Sequence, residues 1–300
     1  MTEYEDKRGV CFFAYNNDQI DYVKIALFAG QYVKKYLNLP ICLITDEGSA
    51  AWLEESQDKK LIDKTFDYIV TTNDEMKTNN RRHFDSPWTE FTAQFNNSNK
   101  HKIFEYSPFE QTLLLDIDYI VKTDYLLKYF DQEQYNVCMF DNATTLRNEM
   151  PADREQYLYD SGVKMWWSTV VYFDRSDESK LFFDTWAHVA DNYEFYQYLY
   201  NFPGRLFRTD YCVSIAVHIL GGMQDAESPI GNFDGTALVN MSQKDDIIET
   251  PNLIDWIFIA HCQKENWKNI LVKQGAQDIH VMNKRSLGRA MDTLLEKFND

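Results

Sequence analysis

Thr112–Lys122 reads TLLLDIDYIVK: three leucines run into two aspartates, and an apolar Tyr-Ile-Val follows. A short apolar run bounded by polar residues has the composition of a strand buried on both faces, as in the middle of an α/β sheet. Alternate residues of a strand share a face, so Asp116 and Asp118 are expected side by side at its carboxyl end, where open α/β sheets bind ligands. Two carboxylates so close repel each other, and burial raises the cost. No Lys or Arg lies close in sequence to neutralise Asp116. A divalent cation removes the repulsion, and Mg²⁺ or Mn²⁺ takes oxygen ligands while leaving positions for substrate phosphates. The stretch predicts a metal–diphosphate site; the plain alternative is a strand end that solvates a turn.

Three hundred residues hold one large α/β domain or two modest ones. A single domain, 1–300, is the simpler expectation, with 8–140 as a nucleotide-binding half and 141–300 as an acceptor-side half. The net charge of −17 argues against sequence-independent binding to nucleic acid or anionic membrane, because phosphate contact rests on Lys and Arg. The five cysteines are scattered, form no C-x-x-C pair, and mostly sit inside apolar runs, so they read as buried thiols of a reducing compartment. The start, MTEYED, lacks the basic and apolar regions of a signal peptide, and no apolar run has the length of a membrane span. A cytoplasmic protein is expected.

Along the chain, Val10–Tyr15 reads as a buried strand, Asp21–Tyr36 as an amphipathic helix and Ile41–Thr45 as a second strand, together a parallel βαβ unit. Phe66–Val70 predicts a third strand. The polar, Asn-rich stretch beyond it reads as a long loop whose one basic cluster is Arg81, Arg82 and His83. Lys102–Tyr106 predicts a short helix, Thr123 a cap for a helix through Phe130, and Asn136–Phe140 a strand. Trp166–Phe173 and Trp256–Cys262 read as strands; Ser176–Asn192, Thr209–Leu220 and Arg285–Phe298 read as helices, the second stopped by Gly221-Gly222. The aromatic run YEFYQYLYNFPG reads as core, with a sugar-stacking wall as the alternative.

These pieces resemble a GT-A fold glycosyltransferase, in layout the family 8, glycogenin- and galactosyltransferase-like group. VCFFAYNNDQIDYVKIALFAG is similar to that group's opening strand, turn and helix, ICLITD to its second strand, and KIFEYSPFEQTLLLDIDYIV to its donor-site segment. The resemblance implies an α/β Rossmann-like, mostly parallel central sheet flanked by helices. It implies that Ala14, Tyr15, Asn16 and Tyr22 border the nucleoside, that Lys102 touches the donor, and that Asp116 meets ribose and metal and Asp118 the metal. WWSTVVYF resembles the acceptor-side strand, with Ser168 in place of the usual Asn. RTDYCVSIAV resembles the helix whose opening acid faces the reacting sugar, which points to Asp210. IAHCQKENW resembles the closing His-x-x-Gly-x-x-Lys-Pro-Trp, without its Gly and Pro and with Lys264 at the Gly place. His261 is the expected third metal ligand, because the D-x-D needs one and the residue ends a strand.

The implied reaction moves a sugar from a nucleoside diphosphate, UDP being the group's usual carrier, to a hydroxyl acceptor. The cofactor is Mn²⁺ or Mg²⁺, Lys102 or Lys264 adds positive charge at the leaving group, and Asp210 stabilises the cationic anomeric carbon or serves as base. The group leans towards retention. The acceptor stays open among glycan, protein side chain, small molecule and modified nucleobase. Two rivals remain: a haloacid-dehalogenase-like phosphatase with Asp116 as nucleophile, and a non-catalytic sugar- or nucleotide-binding protein on the same fold.

Overall fold

The computed structural model describes residues 6–74, 79–96, 98–147, 156–203, 206–224, 228–261 and 269–298. The first part of the chain forms β1 (Asp6–Phe13), α1 (Tyr22–Tyr36), β2 (Ile41–Thr45), α2 (Glu47–Ser56), α3 (Lys59–Thr65) and β3 (Tyr68–Thr71). A hairpin of β4 (Asn80–Phe84) and β5 (Glu90–Gln94) follows. Next come a 3-10 turn over Lys100–Lys102, α4 (Ile103–Tyr106), β6 (Phe109–Leu115), β7 (Tyr119–Ile120), β8 (Val137–Phe140) and β9 (Ala143–Thr145). Then come β10 (Trp167–Asp174), α5 (Asp177–Asp191), α6 (Tyr193–Leu199) and α7 (Thr209–Leu220). The chain closes with β11 (Gly231–Asn232), β12 (Leu238–Met241), β13 (Asp246–Glu249), β14 (Trp256–His261), β15 (Asn269–Gln274), β16 (Ile279–Val281) and α8 (Lys284–Glu296).

The main sheet runs β11-β8-β10-β6-β1-β2-β3. β6, β1, β2 and β3 are mutually parallel, β11 is parallel to β8, and β10 is antiparallel to both its neighbours. This is the α/β, mostly parallel sheet flanked by helices that the sequence leads one to expect. All five residues of β2 are buried, as a strand covered on both faces requires. One apolar cluster gathers α1 and α8 against one face; the other gathers α5 and α7 against the opposite face. The main sheet draws strands from both sides of residue 140. The aromatic run after α5 belongs to the second cluster: Tyr193, Tyr196 and Phe202 are buried in it, so the core reading holds for them.

Local chemistry sets the element ends. Asp21 caps α1, accepting from the Lys24 amide at 3.0 Å, and Ser176 and Asn283 cap α5 and α8 in the same manner. Asp46 caps α2 through the Ser49 amide at 2.8 Å. Cys11, Cys42, Cys138 and Cys212 are buried thiols, and Cys262 lies outside the described residues. Among the described residues no helix is long and apolar enough to cross a membrane.

The stretch after β3 departs from the expected loop. β4 and β5 pair in antiparallel register, His83 opposite Phe91. His83 is buried, stacked on the Phe91 ring at 5.3 Å. Its desolvation, with Lys284, Arg81 and Arg285 nearby, pushes its pKa down to about 4.

Two outcomes follow for stability. A Cβ on Gly9 of β1 would run into the Phe109 ring of β6. Gly9→Ala should therefore lower the stability to urea by about 1–3 kcal/mol, the usual range for overpacking. His83 binds its proton less readily folded than unfolded, so stability falls as pH drops from about 6.5 towards 4. Between pH 7.5 and 5.0 the wild type should lose about 2 kcal/mol more than His83→Gln, read from urea midpoints at the two pH values.

Candidate metal and donor site

β6 ends at Leu115, and the next three residues form a turn closed by the Tyr119 amide on the Asp116 carbonyl at 2.9 Å. Asp116 and Asp118 thus converge through a turn and not through strand alternation. The turn is anchored to β10, where the Asp116 amide donates to the Thr169 carbonyl at 2.8 Å.

β7 then pairs antiparallel with β16, His280 opposite Tyr119, and the Val281 amide donates to the Asp118 carbonyl at 2.8 Å. That register sets His280 against Asp118, Nε2 to Oδ2 at 3.4 Å. Asp278, two residues earlier, fastens the same pairing by accepting from the Lys122 amide at 2.7 Å and the Thr123 amide at 2.9 Å. β16 is also parallel to β12, Asn240 opposite His280, and His280 Nδ1 lies 2.8 Å from Asn240 Oδ1. An amide oxygen accepts only, so Nδ1 carries a proton and Nε2 is the nitrogen turned towards the aspartates. This is the outer-shell arrangement that orients a metal-binding histidine.

One ligand atom each of Asp116, Asp118 and His280 lies within 4.8 Å of the others. Two carboxylate oxygens and an imidazole nitrogen suit a divalent first-row ion and leave coordination positions to spare. His261, the expected third ligand, is elsewhere. It ends β14 in the antiparallel sheet β13-β14-β15, its Nδ1 2.7 Å from Asn269 Oδ1 and its ring edge-on to Trp88. Ending a strand did not suffice, because that strand belongs to a different sheet from the one paired with β7.

The carboxylates are not short of cations. Lys100 Nζ donates to Asp116 Oδ1 at 2.6 Å and to the Ser168 carbonyl; Lys284, the first residue of α8, reaches Asp118 Oδ2 at 2.5 Å. Burial of Asp118 favours the neutral acid, but Lys284 and His280 outweigh it and hold its carboxyl well below the usual range. The expectation that Asp116 lacks a basic neighbour fails because Lys100, distant in sequence, is folded back onto it. Lys102, the expected donor contact, instead pairs with Asp74 at 2.5 Å, outside the cavity lining.

The cavity at this edge measures about 330 Å³. Tyr15, Tyr22, Ser168 and Asp210 line it as the sequence led one to expect, beside Phe13, Phe95 and Asn99. Ala14 and Asn16 do not. The Ala14 carbonyl accepts from Thr45 Oγ1 at 2.5 Å, and Asn16 Oδ1 accepts from the Val23 amide at 3.0 Å, at the start of α1. Ser168 donates from its amide (3.0 Å) and its hydroxyl (2.8 Å) to Asp210 Oδ1 at the opening of α7. Burial pushes the Asp210 pKa up, yet Arg208, Ser168 and Lys100 together bring it below normal. Lys264 lies outside the described residues.

Four residues escaped the sequence reading as site members: Lys100, Arg208, His280 and Lys284. For His280 a signal existed, a histidine inside the short alternating run DIHV followed four residues later by a lysine. Arg81 was seen only as part of a loop cluster; it lines the cavity, whereas Arg82 turns outward to Glu90 at 3.5 Å.

No family model matches the sequence, and no curated protein matches it. Among solved structures, the glycosyltransferase GlyE of Streptococcus pneumoniae TIGR4 is similar over 77% of this chain and 46% of its own, at 13% identity and a TM-score of 0.43. This chain thus spans less than half the length of that structure. Mouse xyloside xylosyltransferase 1 is similar over 70% of this chain and 81% of its own, at 10% identity and a TM-score of 0.39. The bifunctional glycosyltransferase WbbM covers 63% of this chain and 35% of its own, at 13% identity and a TM-score of 0.37. Overlap at this level carries no functional argument, and the site's own residues must supply one.

Replacement separates the two histidines. In Mn²⁺ titration calorimetry, His280→Ala should weaken binding by about tenfold or more, whereas His261→Ala should stay within about twofold of wild type.

Proposed function

We propose that this protein is a metal-dependent glycosyltransferase that moves a sugar from a nucleoside diphosphate, with UDP as the expected carrier, to a hydroxyl acceptor. The observation that carries the proposal is the Asp116–Asp118–His280 group set in one cavity with Lys100, Lys284 and an ionised Asp210. A divalent ion at the three ligands would act as a Lewis acid on the diphosphate leaving group. The imidazole donor makes Mn²⁺ a better candidate than Mg²⁺, which favours an all-oxygen shell.

The chain's own residues divide the remaining work. Lys100 and Lys284, paired with the two aspartates in the protein alone, supply positive charge to the diphosphate once a cation takes over those carboxylates. Tyr15 and Phe13 offer aromatic faces where the nucleoside enters, on the β1 side of the cavity. Asp210 is held in place by Ser168, so Ser168 acts as a positioning residue for it. A carboxyl with a depressed pKa is a weak base near neutrality. Asp210 is therefore better suited to stabilising positive charge at the anomeric carbon than to taking the acceptor's proton, which fits a retaining transfer. We further propose that the chain works as one unit, because the cavity takes residues from both sides of residue 140.

A phosphatase built on Asp116 is the less favoured reading, because that carboxylate is shared with Lys100 and with the His280 group. The test is calorimetric titration of metal-free protein with a panel of nucleoside diphosphates, with and without Mn²⁺. Micromolar, Mn²⁺-dependent binding of UDP that Asp118→Asn weakens by about a hundredfold is the expected result. Hydrolysis of p-nitrophenyl phosphate with no nucleotide preference would sink the proposal, and UDP binding without release of sugar from any UDP-sugar would leave a binding protein.

A further inference from the structure

Among the described residues, one cation of the cavity lining has no paired anion at contact distance. Lys100 is matched with Asp116, Lys284 with Asp118, and Arg208 with Asp210 at 3.5 Å. Arg81, on β4, lays its guanidinium over the Phe95 ring, 5.2 Å from the centroid, and makes no side-chain hydrogen bond or ion pair with a described residue. Arg81 is half-buried, and a guanidinium drawn partly out of water without an anion at contact distance loses solvation that nothing repays. It lines the same cavity as the metal group and Asp210, near enough to Arg208, Tyr22, Asp118 and Asp210 for their charges to act on it. Tyr22 Oη, which also lines the cavity, is buried and has no hydrogen-bond partner among the described residues.

Charge counting points the same way. Among the described lining residues, four cations (Arg81, Lys100, Arg208, Lys284) face three carboxylates (Asp116, Asp118, Asp210). A divalent ion and the two negative charges of a nucleoside diphosphate sugar cancel, so the single excess positive charge survives donor binding. A neutral hexose leaves it unmatched; a sugar bearing one carboxylate matches it, with two oxygens that fit the arginine fork.

We infer that the transferred sugar is anionic, a uronic acid whose carboxylate is read by Arg81, with Tyr22 beside it as a hydroxyl donor. This rests on the transferase reading of the same cavity. Arg81 is here a specificity residue, supplied by the hairpin and not by the main sheet.

The experiment compares UDP, UDP-glucose and UDP-glucuronate by calorimetry in the presence of Mn²⁺, for wild type, Arg81→Gln and Arg81→Lys. Wild type should bind UDP-glucuronate about tenfold or more tightly than UDP-glucose, the usual scale for a charge-assisted pair. Arg81→Gln should bring the two sugars to within about twofold, and Arg81→Lys should restore part of the difference. Equal affinity of wild type for both sugars would overturn the inference while UDP binding upheld the transferase reading. An Arg81→Gln loss equal for UDP and both sugars would also overturn it, assigning Arg81 to the diphosphate. Failure of wild type to bind UDP would overturn both readings together.

Discussion

Two carboxylates held within a few ångströms of each other at a cavity wall must be matched by positive charge, and much of this molecule is arranged around that requirement. Asp116 and Asp118 lie in the turn that follows the central strand β6, and each is met by a lysine from a different part of the chain. Lys100 comes from the 3-10 turn before β6, Lys284 from the first turn of α8, nearly two hundred residues later. Removing either lysine would leave a buried or half-buried carboxylate uncompensated, which costs more than the pair itself contributes. The same lysines are the charges that a diphosphate would meet once a cation occupied the aspartates.

The geometry is delivered by sheet register and not by local sequence. β7 is only two residues long, yet its pairing with β16 settles which histidine reaches Asp118, and the pairing of β16 with β12 settles which ring nitrogen faces it. A shift of one residue would turn His280 to the other face of that small sheet. Asp278 accepts from two backbone amides at the junction and holds the register. Ser168 and Asp210 repeat the pattern across the cavity, where a strand amide and hydroxyl fix the acid at a helix opening.

The hairpin of β4 and β5 adds a third wall. It is tied to the body by the Asn79 side chain on the Phe207 carbonyl at 3.2 Å, by the Phe84 amide on Gln243 at 3.1 Å, and by Arg285 lying over Phe91. Its inner face carries Arg81 to the cavity and buries His83, while Arg82 faces outward. A segment whose composition is that of a loop is thus a strand pair with one face on the cavity. Its alternation was hidden because the apolar partners are few and the inward residues are themselves basic.

Much of the fold was legible in order. The apolar runs of β1, β2, β6 and β10 and the amphipathic helices α1, α5, α7 and α8 follow from burial patterns that are local, and the caps of α1, α5 and α8 are local too. So did the D-x-D, because two acids after three leucines admit few roles, and Asp210 and Ser168 through the resemblance of their segments. What sequence could not determine was which distant side chains share the cavity. His261 and His280 both lie in short strands near the end of the chain; the lysine four residues after His280 hints at the difference, but strand pairing decides it. Lys100 and Lys102 differ by two positions, but the turn they lie in sends one to Asp116 and the other to Asp74. Charge, burial and periodicity are properties of a stretch of chain, whereas a ligand set is a property of register between strands far apart in sequence, and that was set only when the sheets closed.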